Sequence, residues 1–145
     1  MISESGKLLF KQALIDFRLN PETHRQEEWI CRTGCCIAGS IALQSGATPD
    51  WAAASSGTSM VILDGGGTDT VSGVAMRALG IAPGDAKILF HPFNTIDDLE
   101  VMYGLLDAGH RLGGPWCWDC NIPRLTDEAF AAMPYWRGSC GACHR

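Results

Sequence analysis

No run of apolar residues in this chain approaches the roughly 20 needed to cross a bilayer as a helix, so a helical membrane span is not expected. Charge is also sparse. Only 19% of residues are charged, and no two of the eleven Lys and Arg are adjacent. The formal net charge is −5. A chain that binds phosphate backbones by displacing counterions needs clustered basic residues. Their lack, with the acidic balance, disfavours a nucleic-acid partner, although Arg111, Arg124, Arg137 and Arg145 leave room for a zinc-containing nucleic-acid binder as a lesser alternative. The glycine loop Asp64-Gly-Gly-Gly-Thr-Asp69 has no P-loop lysine and carries two acids that repel phosphate, so it reads as a connection. No internal repeat is present. At the start, Met1-Ile-Ser-Glu-Ser-Gly-Lys7 has an early acid, and Leu8-Leu-Phe10 is broken by Lys11 and Gln12. That is not the apolar core of a secretory signal. The expectation is a cytoplasmic, reducing setting.

What the chain does have is cysteine: seven in 145 residues. In a reducing compartment these are thiols or metal ligands, not disulfides. Four of them form a pattern. Cys117-Trp-Asp-Cys120 is followed, after residues 121–139, by Cys140-Gly-Ala-Cys143. Two intervening residues let both sulfurs of one tight turn aim at a single ion, and two such turns complete a tetrahedron. The expected ligands are Cys117, Cys120, Cys140 and Cys143, and the expected ion is Zn2+ in a structural role. Four protein ligands leave no open position for water or substrate. Iron bound by four thiolates has the same ligand inventory. Cys140-Gly-Ala-Cys143-His144 also fits the C-x-x-C-H haem attachment pattern, but that would leave the other pair unexplained. The segment from Arg137 to Cys143 is similar to the surroundings of the nucleophile in papain-like proteases. That is set aside, because no downstream histidine and asparagine follow at the required distance.

The other three cysteines, Cys31, Cys35 and Cys36, lie downstream of His24. On one continuous helix Cys31 and Cys35 would share a face. The favoured reading is packing, since Cys fills core space as a small apolar residue. The alternative is a cysteine-nucleophile enzyme with His24 as base. Cys35 at a helix N-terminus would be the best-placed thiolate. No complete set of nucleophile, base and orienter is legible, so no catalytic residue is assigned.

Periodicity predicts a mainly α fold: a compact bundle of five to six short helices with an irregular C-terminal segment held by the four cysteines, in which a small β-hairpin would fit. Helices are expected over residues 5–19, 22–32 and 35–45, then from Val71 to Gly80, from Thr95 to Gly109, and from Thr126 to Pro134. Met60 to Leu63 reads as a short strand, and Ala86 to Phe90 fits either element. Two units are expected, a helical domain over 1–112 and a zinc-binding tail over 113–145 packed on it.

Scattered motifs in about the first hundred residues resemble a group of small, uncharacterised proteins of actinobacteria and their phages. They are Asn20-Pro-Glu-Thr-His24, Trp29-Ile-Cys31, Cys36-Ile-Ala-Gly39, Leu89-Phe90 and Asn94-Thr-Ile-Asp-Asp-Leu99. The resemblance implies a compact helical domain with the cysteine-bearing helix at its centre. It implies no activity, and the four-cysteine tail is not part of it.

The function expected from these features is that of an accessory or adaptor protein. It would contact a protein partner or a second copy of itself, not nucleic acid, a membrane or a small-molecule substrate. Trp116, Trp118, Tyr135 and Trp136 are rich in the residue types that anchor interfaces. The same rings would serve equally well as a miniature core around the metal.

Overall fold

The computed structural model describes residues 1–52 and 56–140. The long first helix, α1 (Glu4–Leu19), starts at Ser3, whose hydroxyl accepts from the Gly6 N–H at 2.9 Å. It buries Phe10, Ala13, Leu14 and Phe17 on one stripe, as an amphipathic helix must. A single 3-10 turn, Pro21–Thr23, follows. The chain then forms a tight hairpin, β1 (Ile30–Cys31) and β2 (Gly34–Cys35), before α2 (Ile37–Gln44). Next come β3 (Thr48–Pro49), β4 (Gly57–Thr58), β5 (Met60–Ile62) and β6 (Thr68–Thr70). Helix α3 (Val71–Leu79) ends at Gly80, which takes the left-handed conformation with φ 70°. Helix α4 (Pro83–Leu89) opens with proline in its first turn, where the missing N–H costs nothing. Helix α5 (Ile96–Asp107) has a reciprocal capping box: Thr95 Oγ1 accepts from the Asp98 N–H, and the Asp98 carboxylate accepts from the Thr95 N–H. A second hairpin, β7 (Gly113–Cys117) and β8 (Ile122–Leu125), precedes the short α6 (Asp127–Ala132).

The architecture is therefore mixed α/β, not the mainly helical bundle expected from periodicity. Three small antiparallel sheets, ordered β2-β1-β4, β3-β5-β6 and β7-β8, flank the helices. The main departure is at residues 22–32, where a helix was expected. Ile30 is needed in the core, and pairing Ile30 with both Cys35 and Thr58 puts it there. Gly34 permits the fold-back. A Cβ on it would lie 2.2 Å from the Thr23 carbonyl oxygen, a distance no side chain tolerates.

Helix α2 sits centrally, packed on α1 and α3, with Ile37, Ala38, Gly39, Ile41 and Ala42 buried. Small side chains let its neighbours approach closely. The buried cluster runs without a break from Phe10 and Ile37 through Leu89 and Leu99 to Leu125, Ala129 and Trp136. No helix among the described residues is long and apolar enough to cross a membrane.

Candidate metal centre

Cys117 ends β7, and Cys120 lies in the turn between β7 and β8. Asn121 closes that turn with φ 58°. Asparagine tolerates this left-handed conformation better than most residues. Cys140 arrives from beyond α6, directly after Ser139, whose φ is 30°. The sulfurs of Cys117, Cys120 and Cys140 all lie within 4.8 Å of one another. In an ideal tetrahedron with metal–sulfur bonds of about 2.3 Å, the sulfurs are about 3.8 Å apart. Three thiols at this separation can hold one metal ion. Cys117 and Cys140 are buried and Cys120 is partly so. The Cys120 thiol also donates to the Ser139 carbonyl at 3.7 Å, tying the two limbs together. Cys143, the fourth ligand expected from the spacing, lies outside the described residues.

Both limbs are rooted on α4. At its first turn the buried Asp85 carboxylate accepts from Arg111 Nε at 2.7 Å. It also accepts from the backbone N–H groups of Leu112 and Gly113, at 2.8 and 3.1 Å. These bonds fix the entry to β7. Gly113 passes so close that a Cβ on it would lie 2.5 Å from the Gly84 carbonyl. At the other end of α4, buried Asn94 donates to the carbonyls of Ile88 and Leu89 at 2.9 and 2.8 Å. The Asn94 side-chain oxygen in turn accepts from Trp136 Nε1 at 2.5 Å. The Trp136 ring lies over Gly138, where a Cβ would sit 2.6 Å from it. Trp136 thus sets the approach of Ser139 and Cys140.

Replacing Asp85 by alanine is expected to leave two buried N–H groups without an acceptor. Each unsatisfied group costs about 1–3 kcal/mol, so the loss should be about 3 kcal/mol or more in urea unfolding. Asp85→Asn, which keeps an acceptor oxygen, should cost clearly less.

The four aromatic residues of the tail divide. Trp136 is 4% exposed and belongs to the core, which removes it from the expected interface. Trp118 is 85% exposed and Tyr135 93% exposed. Trp116 is partly exposed and lies edge-on to Trp118, with ring centroids 6.0 Å apart.

The second cysteine cluster does not assemble as a helix would arrange it. Cys31 pairs with Gly34, and Cys35 with Ile30. Opposed residues share a face and neighbours alternate, so the Cys31 and Cys35 side chains leave on opposite sides of the hairpin. Burial pushes the Cys35 thiol up to about 12 and the Cys36 thiol up to about 11. The N-cap of α2 is Cys36, not Cys35, and its sulfur accepts from the Gly39 N–H at 3.4 Å. Only Cys31 is shifted down, chiefly by its hydrogen bond with Thr33. His24 directs Nε2 to the Gln26 side-chain oxygen at 2.9 Å, and burial lowers its pKa. Among the described residues, these groups do not converge into a ligand set.

Asp85 and Asn94 carry the geometry of the centre, and the sequence alone assigns neither a role. Asp85 follows Pro83-Gly84, a helix start that explains an acid there by the helix dipole alone. Asn94 precedes a cap and opens one of the motifs of the resemblance, which implies no role for it. No protein-family model, no curated protein and no solved structure matches this chain.

Proposed function

We propose that the protein is a small cytoplasmic adaptor, stapled by a structural Zn2+ and acting by binding another protein or a second copy of itself. The observation that carries this is the hairpin: its inner end gathers three thiols, while its outer surface displays Trp116 and Trp118. A metal enclosed by Cys117, Cys120, Cys140 and Cys143 would have no open position for catalysis, so its work is to hold the hairpin. Exposed tryptophans bring large contact area with little rotamer entropy to lose. The net charge of −5 disfavours phosphate backbones at long range.

Two tryptophan variants separate core from interface. Trp136→Ala should cost about 3–5 kcal/mol, as buried aromatic truncations do, and should lower metal content by loosening the Cys140 limb. Trp118→Ala should change stability by no more than about 0.5 kcal/mol. It should retain one zinc per chain and lose self-association or partner capture. Analytical ultracentrifugation with elemental analysis reads both. A Trp118→Ala protein that associates like the parent would count against the hairpin as the contact surface.

A further inference from the structure

Helix α1 carries a second line of apolar side chains. Leu8, Ile15 and Leu19 fall, with Gln12, on the side of the helix opposite the buried Phe10, Ala13, Leu14 and Phe17. Leu8 and Leu19 are 72% and 74% exposed, and Ile15 is 46% exposed. Single exposed leucines are ordinary on a protein surface. These are not placed singly, because residues 8, 12, 15 and 19 are spaced four, three and four apart. That spacing is the seam of a heptad abcdefg, with Leu8 and Ile15 at d and Ser5, Gln12 and Leu19 at a. One face of α1 packs on its own domain, and the other is patterned to pack on a helix outside it.

The residues beside the seam say what covers it. The g positions are Glu4, Lys11 and Arg18, and the e positions are Leu9 and Asp16. Glu4 is paired with Lys7, and Arg18 is held by Asp97 and Glu100. Lys11 and Asp16 are exposed beside the seam, one on each flank. In two parallel helices in register, a g residue faces the e residue of the partner's next heptad. Lys11 of each copy then meets Asp16 of the other, twice about the two-fold axis. Antiparallel helices would instead set Lys11 of one copy against Lys11 of the other. The charges thus fit a second copy of this chain, lying parallel. Gln12 fits the same arrangement. At an a position it meets its own counterpart across the axis, and a single polar residue there fixes the register. Its amide nitrogen donates to Asp16 at 2.9 Å, which leaves its amide oxygen to accept from the partner's amide.

We propose that α1 is the self-association surface of this protein, a parallel two-fold pair of helices closed by Leu8, Ile15 and Leu19 and by reciprocal Lys11–Asp16 ion pairs. The core faces of the two helices point away from each other, so each domain lies on the far side of its own α1. This goes beyond the adaptor reading: neither the metal nor the tryptophan hairpin takes part, and the hairpin is left to a different protein. The seam is about 24 Å long at 1.5 Å per residue. A contact of that length is at the small end of specific interfaces, so a dissociation constant on the order of 0.1 mM is expected.

The test is sedimentation equilibrium of the full chain as purified, up to about 1 mM, with circular dichroism to check each fold. Leu8→Glu, at an exposed position, should weaken the dimer at least tenfold and leave the fold intact. Lys11→Asp and Asp16→Lys each place like charges against each other in the homodimer, so each alone should also weaken it at least tenfold. Mixed in equal amounts, the two variants should recover the dimer, because every pair in the mixed species is then acid against base. Trp118→Ala should keep the α1 dimer and lose only what the hairpin adds. Should Leu8→Glu disturb the fold, the charge pair alone decides. A parent chain that stays monomeric at about 1 mM, or a mixture that does not recover the dimer, would overturn the proposal. So would a dimer that survives Leu8→Glu and is lost in Trp118→Ala, since self-association would then belong to the hairpin and the adaptor reading would stand.

Discussion

Gly39→Ala should cost the protein much of its stability. A Cβ at this position lies 2.0 Å from the Trp29 carbonyl oxygen and 2.7 Å from the Cys35 Cβ. Neither neighbour is the loose end of a flexible chain. The Trp29 carbonyl is also an acceptor for the Cys36 N–H at 3.3 Å, so moving it breaks the start of α2. Alanine is favoured over glycine by about 1 kcal/mol within a helix, and the overlap must overcome that gain. The net loss should be on the order of 4 kcal/mol or more, the range reserved for the most damaging single changes. Set against a total of about 5–15 kcal/mol for a domain, this removes much of the stability. Gly104→Ala is the matched control. It too is helical, in α5, but a Cβ there meets nothing within 4 Å. Its expected effect is a gain of about 0.4–1 kcal/mol. Urea midpoints of the two variants should move in opposite directions. A folded Gly39→Ala protein with an unchanged midpoint would show that α2 and the 28–30 segment are not packed as described.

Removing the metal should have the second large effect, and a more local one. Ligation of a structural zinc contributes apparent free energies of about 10–16 kcal/mol in small zinc-binding peptides near neutral pH. Here that energy would fall on the segment from Gly113 onward, whose described residues add Leu125, Ala129, Met133 and Trp136 to the buried core. A strong chelator, or Cys117→Ser or Cys140→Ser, should expose Trp136, seen as a red shift in emission, and turn slow thiols into rapidly titrated ones. Helical signal from α1, α2, α3 and α5 should largely persist, because those helices pack on one another. Acid should act in the same direction. The thiols must lose protons to bind, so metal retention falls as pH drops. One zinc per chain after purification without added metal is the expected stoichiometry. A metal-free protein with buried, slow thiols at Cys117 and Cys140 would end the zinc assignment.

The parts of this molecule that could be read from its sequence are those whose physics is local. Thr95-Ile-Asp-Asp98 is a capping box wherever it occurs before an apolar stripe, and α5 begins there. Gly80 stops α3 because it can take φ 70°. The two C-x-x-C pairs group Cys117, Cys120, Cys140 and Cys143 because tetrahedral ligation constrains spacing, and the sulfurs of the first three do meet. What could not be read is set by distant contacts. Residues 22–32 have no strong pattern of their own, so the demand of Ile30 for the core and the approach of Gly34 to Thr23 decide them. Ala86 to Phe90 was ambiguous alone, yet belongs to a helix begun by Pro83. Asp85 and Asn94 look like ordinary surface-type residues until the partners that bury them are known.

The shortness of the strands bears on how the protein behaves when crowded. The longest strand among the described residues, β7, is five residues, and several are two. A strand edge recruits other chains by offering a row of unsatisfied backbone donors and acceptors. Here each row is too brief to seed much pairing. Edge strand β3 carries Pro49, and both strands of the metal hairpin carry proline, Pro115 and Pro123. Each proline deletes a donor from an already short row. The sheets are thus poor templates for cross-β growth, and the protein can display bare tryptophans on a hairpin without that hairpin becoming the nucleus of a fibril.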